Sequence, residues 1–213
     1  MRWFLLPGMG ATDAMYNGLK HKLGFKVNFL NWPEYREEKS YADVARRVIK
    51  ENDISADDVV GGSSLGGMVA LEIAQLLNPK SVVLLGSAVN RKEVQPMLSL
   101  LSPLVNAAPV TIIQTLVGKH RSLVSSMFAD ADPEFIRAMC AYLPSWEGYH
   151  GPAEKIFRLH GKKDHVIPCP TSGCEIVEEA GHLLAITHPA ETAAFMERVS
   201  ARLASEKRKS LAI

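Results

Sequence analysis

The sequence predicts an α/β fold, a three-layer sandwich in which helices cover both faces of about six mostly parallel strands. Two observations carry this prediction. The candidate strands are continuous apolar runs instead of alternating ones, as expected for strands that are buried on both faces. Candidate helices separate these runs along the chain, which is the order that builds a parallel sheet. The 213 residues fit a single domain, residues 1–213, because a typical domain has about 150 residues.

Six short apolar segments are the candidate strands. The first stops at the glycine-rich turn Pro7-Gly8-Met9-Gly10, and the second stops at Pro33, since proline interrupts a strand inside a sheet. The six segments lie at residues 2–6, 26–32, 59–62, 81–85, 156–160 and 174–178.

Helices are predicted between these strands from capping residues and from apolar residues at a spacing of 3.6. Ser40 opens a capping box, and the apolar residues after it repeat on one helical face. Thr12 or Asp13 is expected to cap the first helix, and the charged tail 205–210 is expected to fray after the last one. The predicted helices lie at 12–23, from Ser40 onward, at 65–77 and at 189–204.

A long connection, residues 88–152, joins the fourth candidate strand to the fifth. It contains helical periods and no convincing strand. A connection of this length is typical of an inserted lid or of a second small domain. We interpret it as a helical lid insertion within the one domain.

Composition excludes several classes of protein. Lys and Arg (24) balance Asp and Glu (23), so the basic excess of a nucleic-acid-binding protein is missing. No apolar run approaches 18 residues, so no membrane span is predicted. The spacing of Cys140, Cys169 and Cys174 fits neither a zinc site nor a disulfide framework. The apolar start is too short for a signal peptide, and we expect a cytoplasmic protein.

The strongest chemical signal is the segment Gly61–Gly67, which contains Gly-x-Ser-x-Gly between a candidate strand and a candidate helix. Such a turn strains Ser64 and lifts its hydroxyl above the sheet edge. Two phosphate-binding alternatives fit less well. A Walker loop requires Lys where Met68 stands, and a dinucleotide fingerprint lacks one glycine both at 61–66 and at 8–13. A purely structural glycine-rich turn is the remaining alternative.

A serine needs a base to take its proton, and the base needs an acid to orient it. His182 follows the last candidate strand, and Asp164 follows the fifth. Both therefore lie at the sheet edge where the loops after the strands converge. His160 and His165 are the candidates for supporting residues around them.

The other titratable residues are assigned to less chemical positions. His188 is expected at the start of the last helix, and Glu93 is the next candidate acid after Asp164. The remaining histidines are placed on helices or in the insertion: His21, His120 and His150. Four aspartates are predicted to be surface residues: Asp57, Asp58, Asp130 and Asp132.

These motifs together resemble the α/β-hydrolase family, from residue 2 to about residue 204. The family's ordered features are present as Pro7-Gly8-Met9-Gly10, residues 62–66, Asp164-His165-Val166-Ile167-Pro168 and Gly181-His182. The order nucleophile, acid, base is that of the family. The resemblance implies an oxyanion hole built from the backbone N–H groups of Met9 and Leu65.

The sequence departs from the family pattern at three places. The first candidate strand corresponds to the one that is usually third in the family, so the antiparallel hairpin that is common at the family's N-terminus is not predicted, and Pro7 replaces the usual histidine before the oxyanion glycine. Too few residues separate Asp164 from His182 for a full helix and a strand, so residues 166–173 are predicted to form an extended link.

The resemblance implies hydrolysis of a carboxylic ester, or of a thioester or amide, through an acyl-enzyme. Ser64 would be the nucleophile, His182 the base and Asp164 the acid, with a small-molecule acyl substrate and no metal or organic cofactor. Apolar stretches in the insertion favour a hydrophobic acyl group. The alternatives are an acyltransferase, a haloperoxidase-like enzyme or a lyase on the same fold, or a non-catalytic small-molecule-binding protein.

Overall fold

The computed structural model of the chain describes residues 1–94 and 132–211. Most of the predicted insertion, including Leu101, His120 and Asp130, lies outside the described residues. The described ends of the insertion are 88–94 and 132–152.

All six strands join one sheet, and every neighbouring pair is parallel. The strands are β1 (Trp3–Leu6), β2 (Asn28–Phe29), β3 (Val59–Ser63), β4 (Ser81–Leu85), β5 (Ile156–Gly161) and β6 (Glu175–Val177). Their order across the sheet is β2-β1-β3-β4-β5-β6. The predicted fold class is confirmed.

Helices flank this sheet on both sides. They are α1 (Asn17–Lys20), α2 (Tyr41–Asn52), α3 (Leu65–Leu77), α4 (Pro133–Tyr142), α5 (Leu184–Thr187) and α6 (Pro189–Leu211). Short 3₁₀ turns lie at Asp13–Tyr16, Leu143–Ser145 and Ala153–Lys155. None of the helices in the described ranges is long and apolar enough to span a membrane.

Two hydrophobic cores lie on opposite faces of the sheet, because successive strand residues point to opposite sides. From β1, Phe4 and Leu6 join the core formed with α2, α3 and α4. Trp3 and Leu5 join the second core, formed with α1, α5 and α6. Burial on both faces explains why the strands are continuous apolar runs.

The second strand is shorter than the predicted segment 26–32. It lies at an edge of the sheet and pairs only with β1. The residues after it form other hydrogen bonds: the side chain of Asn31 accepts from the Asp13 N–H, and the indole of Trp32 donates to the Gly8 carbonyl. These contacts hold the turn after β1 and end the pairing.

The first and last helices differ from their predicted lengths. The segment 12–23 forms a 3₁₀ turn and one turn of helix, capped by Thr12 as predicted, because Gly18 lies inside it and disfavours a longer helix. At the C-terminus the helix continues through the predicted frayed tail. An ion pair between Arg202 and Glu206, one turn apart, supports this extension.

The prediction that Asp58 lies at the surface is wrong. Its carboxylate is buried and accepts hydrogen bonds from the Arg2 backbone N–H (2.9 Å), the Arg2 guanidinium (2.7 Å) and the Ser55 N–H (3.0 Å). Burial raises the pKa of Asp58, but the bonds from Arg2 and Ser55 outweigh it and hold the pKa well below its usual value. The buried carboxylate thereby ties the start of β1 to the turn before β3. Asp57 and Asp132 are exposed, as predicted.

The connection from β5 to β6, residues 162–174, contains no helix, as the predicted extended link requires. The chain then turns back closely onto the end of β5. A Cβ atom on Gly161 would lie 2.5 Å from the Gly181 carbonyl oxygen, so only glycine fits there. This close approach brings the segment that carries His182 to the loop that carries Asp164.

Candidate active site

Ser64 lies in the tight turn between β3 and α3. Its backbone has φ 51° and ψ −119°, a conformation that costs a non-glycine residue about 1–3 kcal/mol. Neighbouring groups hold it there. The Ser64 N–H donates to the Leu85 carbonyl (3.1 Å), and the Ser87 hydroxyl donates to the Ser64 carbonyl (2.7 Å). The turn is therefore fixed from both sides at the end of β4.

Glycines around Ser64 make the turn sterically possible. A Cβ atom on Gly62 would lie 2.6 Å from the Leu6 carbonyl oxygen, and one on Gly66 would lie 2.3 Å from the Pro7 carbonyl oxygen. Both distances are much shorter than a van der Waals contact, and the atoms contacted belong to the backbone. A side chain at either position would therefore require the backbone to shift.

We expect Gly66→Ala to lower the free energy of unfolding by about 1–3 kcal/mol, since an inserted methyl group has no space beside β1. Gly18→Ala is the matched control, because Gly18 is exposed and its added Cβ would meet Pro189 only at 3.4 Å. The control should stay within about 0.5 kcal/mol of the wild type. Chemical denaturation measures both variants. Equal stabilities for the two variants would contradict the steric argument.

Ser63, next to Ser64, faces the opposite side of the sheet. Its side chain is buried and hydrogen-bonded to the Tyr16 hydroxyl (3.0 Å), whose proton is donated to the Leu6 carbonyl (2.6 Å). Desolvation raises the pKa of Tyr16, so the phenol stays neutral. Ser63 therefore belongs to the core beneath the turn.

The structure brings Ser64, His182 and Asp164 together in one hydrogen-bonded chain. His182 Nε2 lies 2.9 Å from Ser64 Oγ, and His182 Nδ1 lies 2.8 Å from Asp164 Oδ2. An ionised carboxylate only accepts hydrogen bonds, so Nδ1 carries the proton. In the neutral ring, Nε2 is then free to accept from the Ser64 hydroxyl.

Asp164 is buried, and both of its oxygens have donors. Oδ1 accepts from the backbone N–H groups of Val166 (2.8 Å) and Ile167 (3.0 Å), while Oδ2 faces His182 and His160. Burial raises the pKa of Asp164. The positive charge that His182 carries when it is protonated, and the hydrogen bonds from His160, His182 and Ile167, outweigh burial and hold the pKa well below its usual value.

His160 supports the same carboxylate from inside the protein. It is fully buried, and its Nε2 lies 3.2 Å from Asp164 Oδ2 and 2.8 Å from the Ile167 carbonyl oxygen. Both neighbours are acceptors, so Nε2 carries a proton. His165 is exposed.

Met9 and Leu65 lie on the two backbone segments that flank Ser64. Leu65 is the first residue of α3, where helix N–H groups lack partners within the helix. The loop of Met9 lies against Ser64, since a Cβ atom on Gly8 would be 3.9 Å from Ser64 Cβ. Neither the Met9 N–H nor the Leu65 N–H has an acceptor among the described residues.

The other candidate residues have separate partners. Glu93 forms an ion pair with Arg158 (2.7 Å) and accepts from the Val89 N–H (3.0 Å). His188 precedes α6, and its carbonyl accepts from Thr192. His21 and His150 are exposed. In the part of the chain that the structure describes, no three His, Cys, Asp or Glu side chains cluster as metal ligands would.

Two residues that hold the loops of the site were not predicted from the sequence. Ser87 bonds the Ser64 carbonyl, and Trp32 bonds the Gly8 carbonyl. Both come shortly after a strand, at the carboxyl edge of the sheet. That position is the signal that could have found them.

A family model supplies the decisive comparison. The model described as "Alpha/beta hydrolase family" matches residues 4–195 of the chain. The chain belongs to this family. The resemblance noted in the sequence is thereby confirmed, and its fold is that of the six-stranded sheet described above.

Several solved structures share the α/β-hydrolase fold of this chain. A thermophilic esterase from Thermogutta terrifontis has a TM-score of 0.72 at 14% identity, covering 95% of this chain and 90% of the other. A hydrolase from Oleispira antarctica has a TM-score of 0.74 at 12% identity, covering 93% and 90%. An N-acyl homoserine lactonase, solved with N-hexanoyl homoserine lactone, has a TM-score of 0.69 at 18% identity, covering 95% and 90%. No curated protein sequence matches the chain significantly.

Proposed function

We propose that this α/β-hydrolase is a serine hydrolase that cleaves a carboxylic ester through an acyl-enzyme. The observation that carries the proposal is the continuous chain from Ser64 through His182 to Asp164, with contacts of 2.9 Å and 2.8 Å. These distances are those of a nucleophile paired with its base and of a base oriented by an acid.

In the first half of the reaction, Ser64 Oγ attacks the ester carbonyl while His182 Nε2 takes its proton. The imidazolium that forms is stabilised by the Asp164 carboxylate, whose low pKa keeps it ionised. The tetrahedral intermediate then collapses, and His182 returns the proton to the departing alcohol. Water attacks the acyl-enzyme by the same route, which releases the carboxylic acid and restores Ser64.

The negative oxygen of the tetrahedral intermediate needs hydrogen-bond donors in fixed positions. We assign this role to the backbone N–H groups of Met9 and Leu65. Both are without an acceptor among the described residues, and they lie on the two segments beside Ser64. Leu65 also lies at the N-terminus of α3, where the helix dipole favours negative charge.

Apolar side chains of α4 pack on residues that carry or contact the oxyanion loop, which supports a small or medium hydrophobic acyl group. Cys140 of α4 contacts Met9, with 3.6 Å between their sulfur atoms. Phe135 of the same helix packs on Trp32, with 5.1 Å between the ring centroids. Because α4 belongs to the predicted insertion, its contacts place the described C-terminal end of that insertion beside the oxyanion loop, as a lid would require.

A panel of acyl substrates tests this function. We expect hydrolysis of p-nitrophenyl esters with short and medium acyl chains, and slower cleavage of matched amides, whose leaving groups are poorer. Matched thioesters extend the test, because a thioesterase from Streptomyces coelicolor shares the fold with a TM-score of 0.61 at 15% identity, covering 92% of this chain and 88% of the other.

The same panel separates the alternatives. Ligand binding without turnover across all acyl lengths would indicate a non-catalytic binding protein. Acyl transfer to an added alcohol or amine in preference to water would indicate an acyltransferase. Release of the acid at a rate that depends on Ser64 is the result that the proposal requires.

A further inference from the structure

The carbonyl group of Gly8 accepts two hydrogen bonds beside Ser64. One comes from the Ala11 N–H (3.1 Å) and closes a turn in which Gly10 has φ +67°. The other comes from the indole Nε1–H of Trp32 (2.9 Å). Trp32 lies in the loop after β2, the strand next to β1. A side chain therefore binds the peptide group whose N–H belongs to Met9.

The direction of the Met9 N–H follows from the geometry of this peptide. None of the described peptide bonds is cis, so the Gly8 C=O and the Met9 N–H point in opposite directions. The hydrogen bonds from Trp32 and Ala11 hold the Gly8 carbonyl in one direction, and they therefore hold the Met9 N–H in the opposite direction. Donation to the carbonyl also polarises the amide, which makes its N–H a stronger donor by about 10–30%.

Trp32 is itself held in place. Its ring packs on Phe135 of α4 at 5.1 Å with an interplanar angle of 41°, and it is half-buried against the first core. The residue after it is Pro33, which restricts the Trp32 backbone to extended conformations. The indole N–H is thus a fixed donor.

We infer that Trp32 is a positioning residue of the oxyanion hole. It holds and polarises the Gly8–Met9 peptide so that the Met9 N–H meets the negative oxygen of the tetrahedral intermediate. This inference rests on the proposed function. Trp32 acts through Met9 and takes no part in proton transfer.

Two substitutions test the N–H donor and the aromatic ring of Trp32 separately. Trp32→Phe keeps an aromatic ring against Phe135 and removes the N–H. Trp32→His shrinks the ring but can place Nε2–H where the indole Nε1–H was, because each nitrogen is bonded to the ring carbon next to Cγ. Trp146→Phe is the matched control, since it removes an indole N–H that donates to Glu72 (2.8 Å) on α3. Thermal unfolding of each variant reports on folding.

The measurements are kcat and KM with p-nitrophenyl butyrate at pH 8, and the Ki of phenylboronic acid. The boronic acid adds to the serine oxygen and forms an anionic tetrahedral boronate, one of whose oxygens occupies the oxyanion position. We expect Trp32→Phe to lower kcat about tenfold and to weaken boronic acid binding similarly, with KM within about twofold. Trp32→His should retain more of kcat than Trp32→Phe, and Trp146→Phe should match the wild type.

If Trp32→His has a lower kcat than Trp32→Phe, kcat follows the size of the ring and not the presence of the N–H donor. That result would overturn the inference and indicate that Trp32 acts only by packing. Equal kcat in Trp32→Phe and Trp146→Phe would overturn it as well. If Trp32→Phe does not fold, Trp32→Leu replaces it as the variant without a donor. Turnover that survives Ser64→Ala overturns the proposed function together with the inference, whereas Ser64-dependent turnover that is insensitive to Trp32 overturns the inference alone.

Discussion

Ser64→Ala is expected to reduce turnover about 10⁶-fold, which leaves only the assistance of the oxyanion hole and of substrate binding. The same variant should lose labelling by a fluorophosphonate probe. Both results follow from the position of Ser64 Oγ, 2.9 Å from His182 Nε2. Initial rates with a p-nitrophenyl ester and the mass of the labelled peptide measure the two effects.

Ser63→Ala is the matched control for this experiment. Ser63 carries the same hydroxyl one residue earlier, but it points into the core and is hydrogen-bonded to Tyr16. Its removal should cost about 1 kcal/mol of stability and leave labelling intact. A probe adduct on any residue other than Ser64, or undiminished turnover in folded Ser64→Ala, would contradict the mechanism.

The central strands could be predicted to within a residue from the sequence. β3 and β4 are buried along their whole length, so their apolar runs have no competing interpretation. The edge strand β2 could not be bounded in this way. Only two of its residues pair, and where it ends depends on the side chains of Asn31 and Trp32, whose partners lie in the loop after β1.

The residues of the candidate site could be predicted because topology brings them together. Ser64, Asp164 and His182 each follow a strand, and the carboxyl ends of parallel strands share one edge of the sheet. The missed contacts have no such local pattern. Trp32 binds Gly8 across 24 positions, and Asp58 binds Arg2 across 56 positions, so each pair is visible only in the folded chain.

Asp164→Asn is the second variant with a large expected effect. Oδ1 of Asp164 faces two backbone N–H groups, and Oδ2 faces the ring N–H groups of His182 and His160. An asparagine offers one oxygen for these two sets of donors. When that oxygen accepts from the backbone N–H groups, the amide N–H₂ faces His182 Nδ1. Nδ1 must then accept a hydrogen bond, so the proton of the ring lies on Nε2. That tautomer cannot accept the Ser64 proton, so we expect kcat to fall by up to about 10⁴-fold.

The pH dependence of stability tests the same carboxylate without a substrate. The pKa of Asp164 lies below its usual value in the folded chain, so its ionised form stabilises the fold above about pH 4. This contribution is lost as the pH falls toward the lowered pKa. The difference in unfolding free energy between wild type and Asp164→Asn should therefore shrink from pH 7 to pH 3 in chemical denaturation.

Asp57→Asn, at an exposed position, should change neither this profile nor turnover. Near-normal turnover of Asp164→Asn would require another acid, although Glu93, the next candidate, is already paired with Arg158.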